Sequence, residues 1–155
     1  MADEPLGPIL LEILTCAQEN LTNPVALVTI TPGNTVAWDD CCEGELWARV
    51  VSVVGASSMS NPRLQPCAAT WQVRFEVGVI RCAHVVDDAG NIPTAAQMTA
   101  DALATYQDRA DLTYALMCCV PGIPGIQDLQ VGDWLPQGPE GGCVGGTLTS
   151  TFTLT

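Results

Sequence analysis

A chain of 155 residues, 48% of them hydrophobic, is long enough for one domain with a real core and too apolar to stay disordered. Seventeen acidic residues stand against five arginines and no lysine, for a net charge of −12, and such a surface repels phosphate and excludes a tight grip on nucleic acid. No run of 18 apolar residues is present to span a membrane, and Asp3 and Glu4 stand where a secretory leader carries basic residues, so the expected compartment is the cytosol.

In chain order, Pro5 and Pro8 are tolerated in a first helical turn, and Ile9, Leu10, Ile13, Leu14 and Ala17 make one apolar stripe, predicting a helix over 6–20 that Asn23 and Pro24 end. Residues 25–31 (VALVTIT) and 45–54 (ELWARVVSVV) read as strands, separated by a turn at Pro32-Gly33-Asn34 and an acidic connector. Residues 55–70, small and polar with Pro62 and Pro66, read as a long irregular loop. Over 71–79, Trp71, Val73, Phe75, Val77 and Val79 alternate with Gln72, Arg74, Glu76 and Gly78, the pattern of a strand with one buried face.

A loop over 87–93 leads to the longest element. Thr94 and Gln97 have the spacing of a capping box, and a helix without Pro or Gly follows as far as Cys119. At 100° per residue, Met98, Ala102, Tyr106, Ala110, Thr113 and Met117 stack in a stripe flanked by Leu103 and Tyr114, with Asp101, Asp108 and Asp111 opposite. That stripe is expected to cover the sheet. Beyond Pro121 and Pro124, a short strand over 129–135, a glycine-rich turn over 138–146 and a terminal strand over 147–155 complete the order α, β, β, β, α, β, β. The prediction is a single α+β domain over residues 1–155: an antiparallel sheet with an N-terminal helix and one long helix packed on it.

Chemistry-bearing constellations are weak. The cysteines come as vicinal pairs, Cys41-Cys42 and Cys118-Cys119, with Cys16, Cys67, Cys82 and Cys143 alone. Vicinal side chains do not readily converge on one zinc ion, so Cys41, Cys42, Cys67, Cys118, Cys119 and Cys143 are read as disulfide or buried thiols. A Cys82–His84 pair oriented by Asp87 or Asp88 lacks the separate elements from which catalytic triads converge. The glycines of 138–146 lack the Lys and Ser/Thr of a phosphate loop. The expectation is no enzyme, no metal and no cofactor.

Three segments carry a resemblance: 45–50 (ELWARV), 93–103 (PTAAQMTADAL), and Gly132-Asp133-Trp134 running to 141–146 (GGCVGG). With the element order, they make nearly the whole chain resemble the tail terminator proteins of long-tailed phages, especially the cysteine-containing versions of actinobacterial phages. The resemblance implies a virion protein, assembled in the host cytoplasm, whose homo-hexameric ring caps the tail tube, stops its polymerisation and meets the head-to-tail connector. DNA would pass through the lumen without specific binding. The loops at 34–44, 55–70 and 135–146 are then the docking candidates, with Trp38, Asp39, Asp40, Met59, Arg63, Trp134, Glu140 and Phe152 as candidate contact residues. Eight cysteines and the lack of lysine depart from that pattern. Another neck component, a stopper or adaptor, and a cysteine-rich binding module held by metal or disulfides are the alternatives.

Overall fold

The computed structural model describes residues 4–33, 41–55 and 70–155. Within them the chain forms α1 (Leu6–Asn20), β1 (Leu27–Ile30), a 3-10 turn (Cys41–Glu43), β2 (Glu45–Gly55), β3 (Trp71–Cys82), α2 (Ala95–Cys118), a second 3-10 turn (Val120–Gly122), β4 (Ile126–Glu140) and β5 (Cys143–Leu154). The five strands make one sheet in the order β1-β2-β3-β5-β4. It is antiparallel except at one edge, where β1 runs parallel to β2 with Leu27 beside Glu45.

Both helices lie on one face. From α1, Ile9, Leu10, Ile13, Leu14 and Ala17 turn inward, as the i, i+3, i+4 spacing requires. They meet Val73, Phe75, Val77 and Val79 of β3, all fully buried, and Leu148, Phe152 and Leu154 of β5. Phe75 and Phe152 touch edge to face with ring centroids 5.5 Å apart. On the opposite face Trp47 and Ile80 join Cys41 and Cys143 in a second, smaller cluster. Trp47 lies over Gly78, where an added Cβ would stand 2.5 Å from its ring.

Among the described residues three disulfides staple the layers. Cys16–Cys119 joins α1 to the end of α2, with Cα atoms 5.9 Å apart. The vicinal pair diverges: Cys41 bonds Cys143 and Cys42 bonds Cys82. Cys82 and Cys143 are themselves opposite each other in the β3–β5 register, so one 3-10 turn is bolted to two neighbouring strands at the same end of the sheet. Cys118 is free and exposed, which corrects the expectation that it is paired or buried; at the last turn of α2 it points away from Cys16, and Cys119 takes the bond instead. Cys67 lies outside the described residues.

The capped helix begins as expected. The Thr94 Oγ1 accepts from the Gln97 N–H at 3.2 Å while the Gln97 Oε1 accepts from the Thr94 N–H at 2.9 Å. Its orientation is the reverse of the expectation. Leu112, Ala115, Leu116 and Thr105 face the sheet together with Asp108 and Asp111, whereas Met98, Leu103, Tyr106, Tyr114 and Met117 are 55–62% exposed. The inward aspartates have partners that make burial tolerable. Asp108, 1% exposed, takes two hydrogen bonds from Arg81 of β3, Nε to Oδ2 and Nη2 to Oδ1, both at 2.8 Å. Asp111 accepts from the backbone N–H of Thr22 at 2.7 Å and from Gln107 at 2.8 Å. These contacts fix the rotation of α2 by anchoring its polar face to β3 and to the segment after α1.

Candidate assembly interface

With the aspartates turned inward, α2 presents to the outside a face with no carboxylate. Ala96, Thr99, Leu103, Tyr106, Ala110, Thr113 and Met117 recur at alternating steps of three and four, the spacing of a seam for another helix. Large apolar side chains exposed together in this way form a candidate contact surface. Beside the seam runs a groove of about 550 Å³, lined by Val85, Val86, Met98, Ala102, Tyr106 and the β4–β5 turn. Val85 and Val86 are themselves half exposed.

One polar contact builds the groove wall. The backbone N–H of His84 donates to the Asp101 Oδ2 at 2.8 Å, and the His84 Nδ1 lies 2.9 Å from the Asp101 Oδ1. This holds residues 83–86 against the first turns of α2. Asp87 is occupied elsewhere: its Oδ1 accepts from the N–H groups of Ala89 and Asn91, and the Asn91 side chain donates to its Oδ2. The Asn91 side chain, then its backbone, holds the Asp87 carboxyl below the usual carboxylate range. The triad geometry is therefore not formed, because Cys82 is in a disulfide and His84 pairs with Asp101. Among the described residues no three metal-ligating side chains converge.

The sheet contributes two further surfaces. At one edge β1 exposes Leu27, Val28 and Ile30, and among the described residues no strand lies on its far side. At the other edge β4 is long, irregular in register at three points and interrupted by Pro136 and Pro139, devices that guard an open edge. On the face away from the helices, Thr149 and Thr151 line a polar cleft of about 570 Å³ with Arg74, Gln72, Gln130 and Asp133. Arg49 crosses the same face to pair with Glu76 at 2.6 Å.

The candidate contact residues divide. Glu140 is exposed at the end of β4. Trp134 is half-buried and lies over Gly146 against the core. Phe152 is 1% exposed in the core, which corrects its assignment to an interface: the terminal strand turns its Phe and Leu side chains toward the helices and its threonines to the opposite face of the sheet. Trp38, Asp39, Asp40, Met59 and Arg63 fall outside the described residues. Sequence reasoning missed Leu103, Tyr106, Tyr114 and Met117 as a surface. The available signal was a second stripe on α2, formed by Leu112, Ala115 and Leu116 nearly half a turn away.

No protein-family profile matches the chain, and neither does any curated protein. No helix among the described residues is long and apolar enough to cross a membrane.

Proposed function

We propose that this chain is a ring-forming structural subunit of the tail-terminator type, which caps a phage tail tube, stops its growth and joins it to the head connector. The observation that carries this reading is the open sheet whose two edges differ: β1 is short and apolar, β4 long and guarded. Unlike edges join head to tail, and head-to-tail contacts close into rings when the rotation permits. Charge supports the same reading, since six copies at −12 each carry −72, a lumen through which DNA slides without sticking. Another neck protein, a stopper or adaptor, would share both features. A disulfide-stabilised binding module is the second reading, favoured by the three cystines.

The test is assembly of tail tube protein in vitro with and without this chain, read as tube length by electron microscopy. A terminator gives short, capped tubes and a six-copy species by native mass spectrometry. Tubes of unchanged length together with a monomer at all concentrations would overturn the reading in favour of the module, and six-copy rings without any effect on tube length would transfer it to a stopper or adaptor.

A further inference from the structure

We propose that the outward face of α2 is a self-association seam, occupied by α2 of a second copy running antiparallel about a two-fold axis. The inference is independent of the ring, which joins unlike edges; this contact joins like to like. Three observations carry it, and the first is charge. In a chain of −12, two copies repel unless they meet where carboxylates are absent. All three aspartates of α2 are turned away from the seam: Asp108 and Asp111 are buried and Asp101 is paired with His84. Of the charged side chains on α2 itself, Arg109 is the one that flanks it.

The second observation is shape. If two α2 helices pair antiparallel so that Leu103 faces Ala110, the same register puts Met117 against Ala96 and Tyr114 against Thr99. Each large side chain then meets a small one, and Tyr106 crosses near the axis beside Gln107. A parallel pairing in register would instead stack Tyr106 on Tyr106, Leu103 on Leu103 and Arg109 on Arg109, and would align the two helix dipoles unfavourably. Alternating large and small residues is how facing helices interdigitate.

The third is area. Leu103, Tyr106, Tyr114 and Met117 are 57–62% exposed. With large side chains covering about 150–250 Å² each, they offer on the order of 500 Å² per copy before the flanking atoms are added. That approaches the ~800 Å² each partner contributes to a stable interface.

The experiment compares the full chain with Leu103→Glu by native mass spectrometry and light scattering at micromolar concentration. Circular dichroism confirms that the fold is kept, as expected for a change at a 61% exposed position. The expected result is a species of twice 16.3 kDa, or a ring paired with a second ring, that Leu103→Glu reduces to half its mass. Register is tested in a Cys118→Ser background. Tyr106→Cys, close to the axis, should form a disulfide-linked pair. Met117→Cys should not, because two copies of residue 117 lie about 30 Å apart at 1.5 Å of rise per residue.

Paired assemblies unaffected by Leu103→Glu, a wild type that never pairs, or linkage through Met117→Cys would each overturn the seam. Failure of the ring reads differently. A pair lost in Leu103→Glu without any six-copy species supports the seam and removes the ring, whereas six-copy rings with no pairing keep the ring and remove the seam.

Discussion

The rotation of α2 decides which of its faces holds the fold together, and two leucines report on it. Leu112 is fully buried and Leu103 is 61% exposed. Truncating Leu112 to Ala removes about three carbon groups, or ~2 kcal/mol of transfer free energy at ~0.8 kcal/mol each. The cavity left beneath α2 brings the expected loss to about 3 kcal/mol. For a chain of this size each kcal/mol shifts Tm by roughly 2–4 °C, so Leu112→Ala should melt about 6–12 °C lower. Leu103→Ala loses only what little of its side chain is covered and should cost less than about 0.5 kcal/mol. Both are measured by urea unfolding with the disulfides intact, at a concentration low enough that self-association adds nothing to apparent stability. Equal losses at the two sites, or a larger loss at Leu103, would refute the orientation and with it the seam.

Burial pushes the Asp108 carboxyl above its ordinary value of 3.8, although Arg81 pulls the other way. The unfolded chain therefore ionises first as pH rises, and stability from this group is full below the ordinary value and is lost through the raised one. Asp108→Asn, which keeps a neutral acceptor, should cost about 1 kcal/mol and remove that part of the pH dependence of unfolding. Asp108→Leu strips Arg81 of both carboxylate oxygens, leaving it only the Asn23 and Pro24 carbonyls, and should cost about 3–5 kcal/mol, most of which Arg81→Met recovers when added to it. Alkylation of the native protein followed by peptide mapping should label Cys118 and leave Cys16, Cys41, Cys42, Cys82, Cys119 and Cys143 protected until reduction. Gly78→Ala places a Cβ into the Trp47 ring and should cost about 1–3 kcal/mol in the same unfolding assay, where a neutral result would mean that Trp47 does not lie over that strand.

Where local chemistry decides, the chain was readable. The boundaries of α1, the capping box of α2 and the alternation of β3 follow from spacing and from side chains that act within four residues. Where a distant partner decides, it was not. An aspartate reads as solvent-facing unless its acceptor need is met inside, and for Asp108 the donor is Arg81, 27 residues earlier on another element. Once that pair forms, α2 has to roll its larger apolar side chains outward. The length of β4 was hidden for a related reason: Pro136, Gly138 and Pro139 signal a turn, yet a strand at the sheet edge has one side free of ladder bonds and tolerates them. The cysteines disclosed their number and not their partners, because Cys82 and Cys143 become neighbours only through β3–β5 pairing.

The Cys16–Cys119 bond also sets how far the molecule can be drawn out under load. Pulled between α1 and the end of β5, the chain transmits force through residues 6–16, across the sulfur bridge, and on through 119–154. The Cys41–Cys143 bond makes residues 16–41 a second route of nearly equal length to the same strand, and only residues 42–118 lie in a loop off both. Even with every hydrogen bond broken, the tethered length is about a third of what the open chain would give at ~3.5 Å per residue. A chain stapled in this way behaves as a short strap with little slack to lose under load.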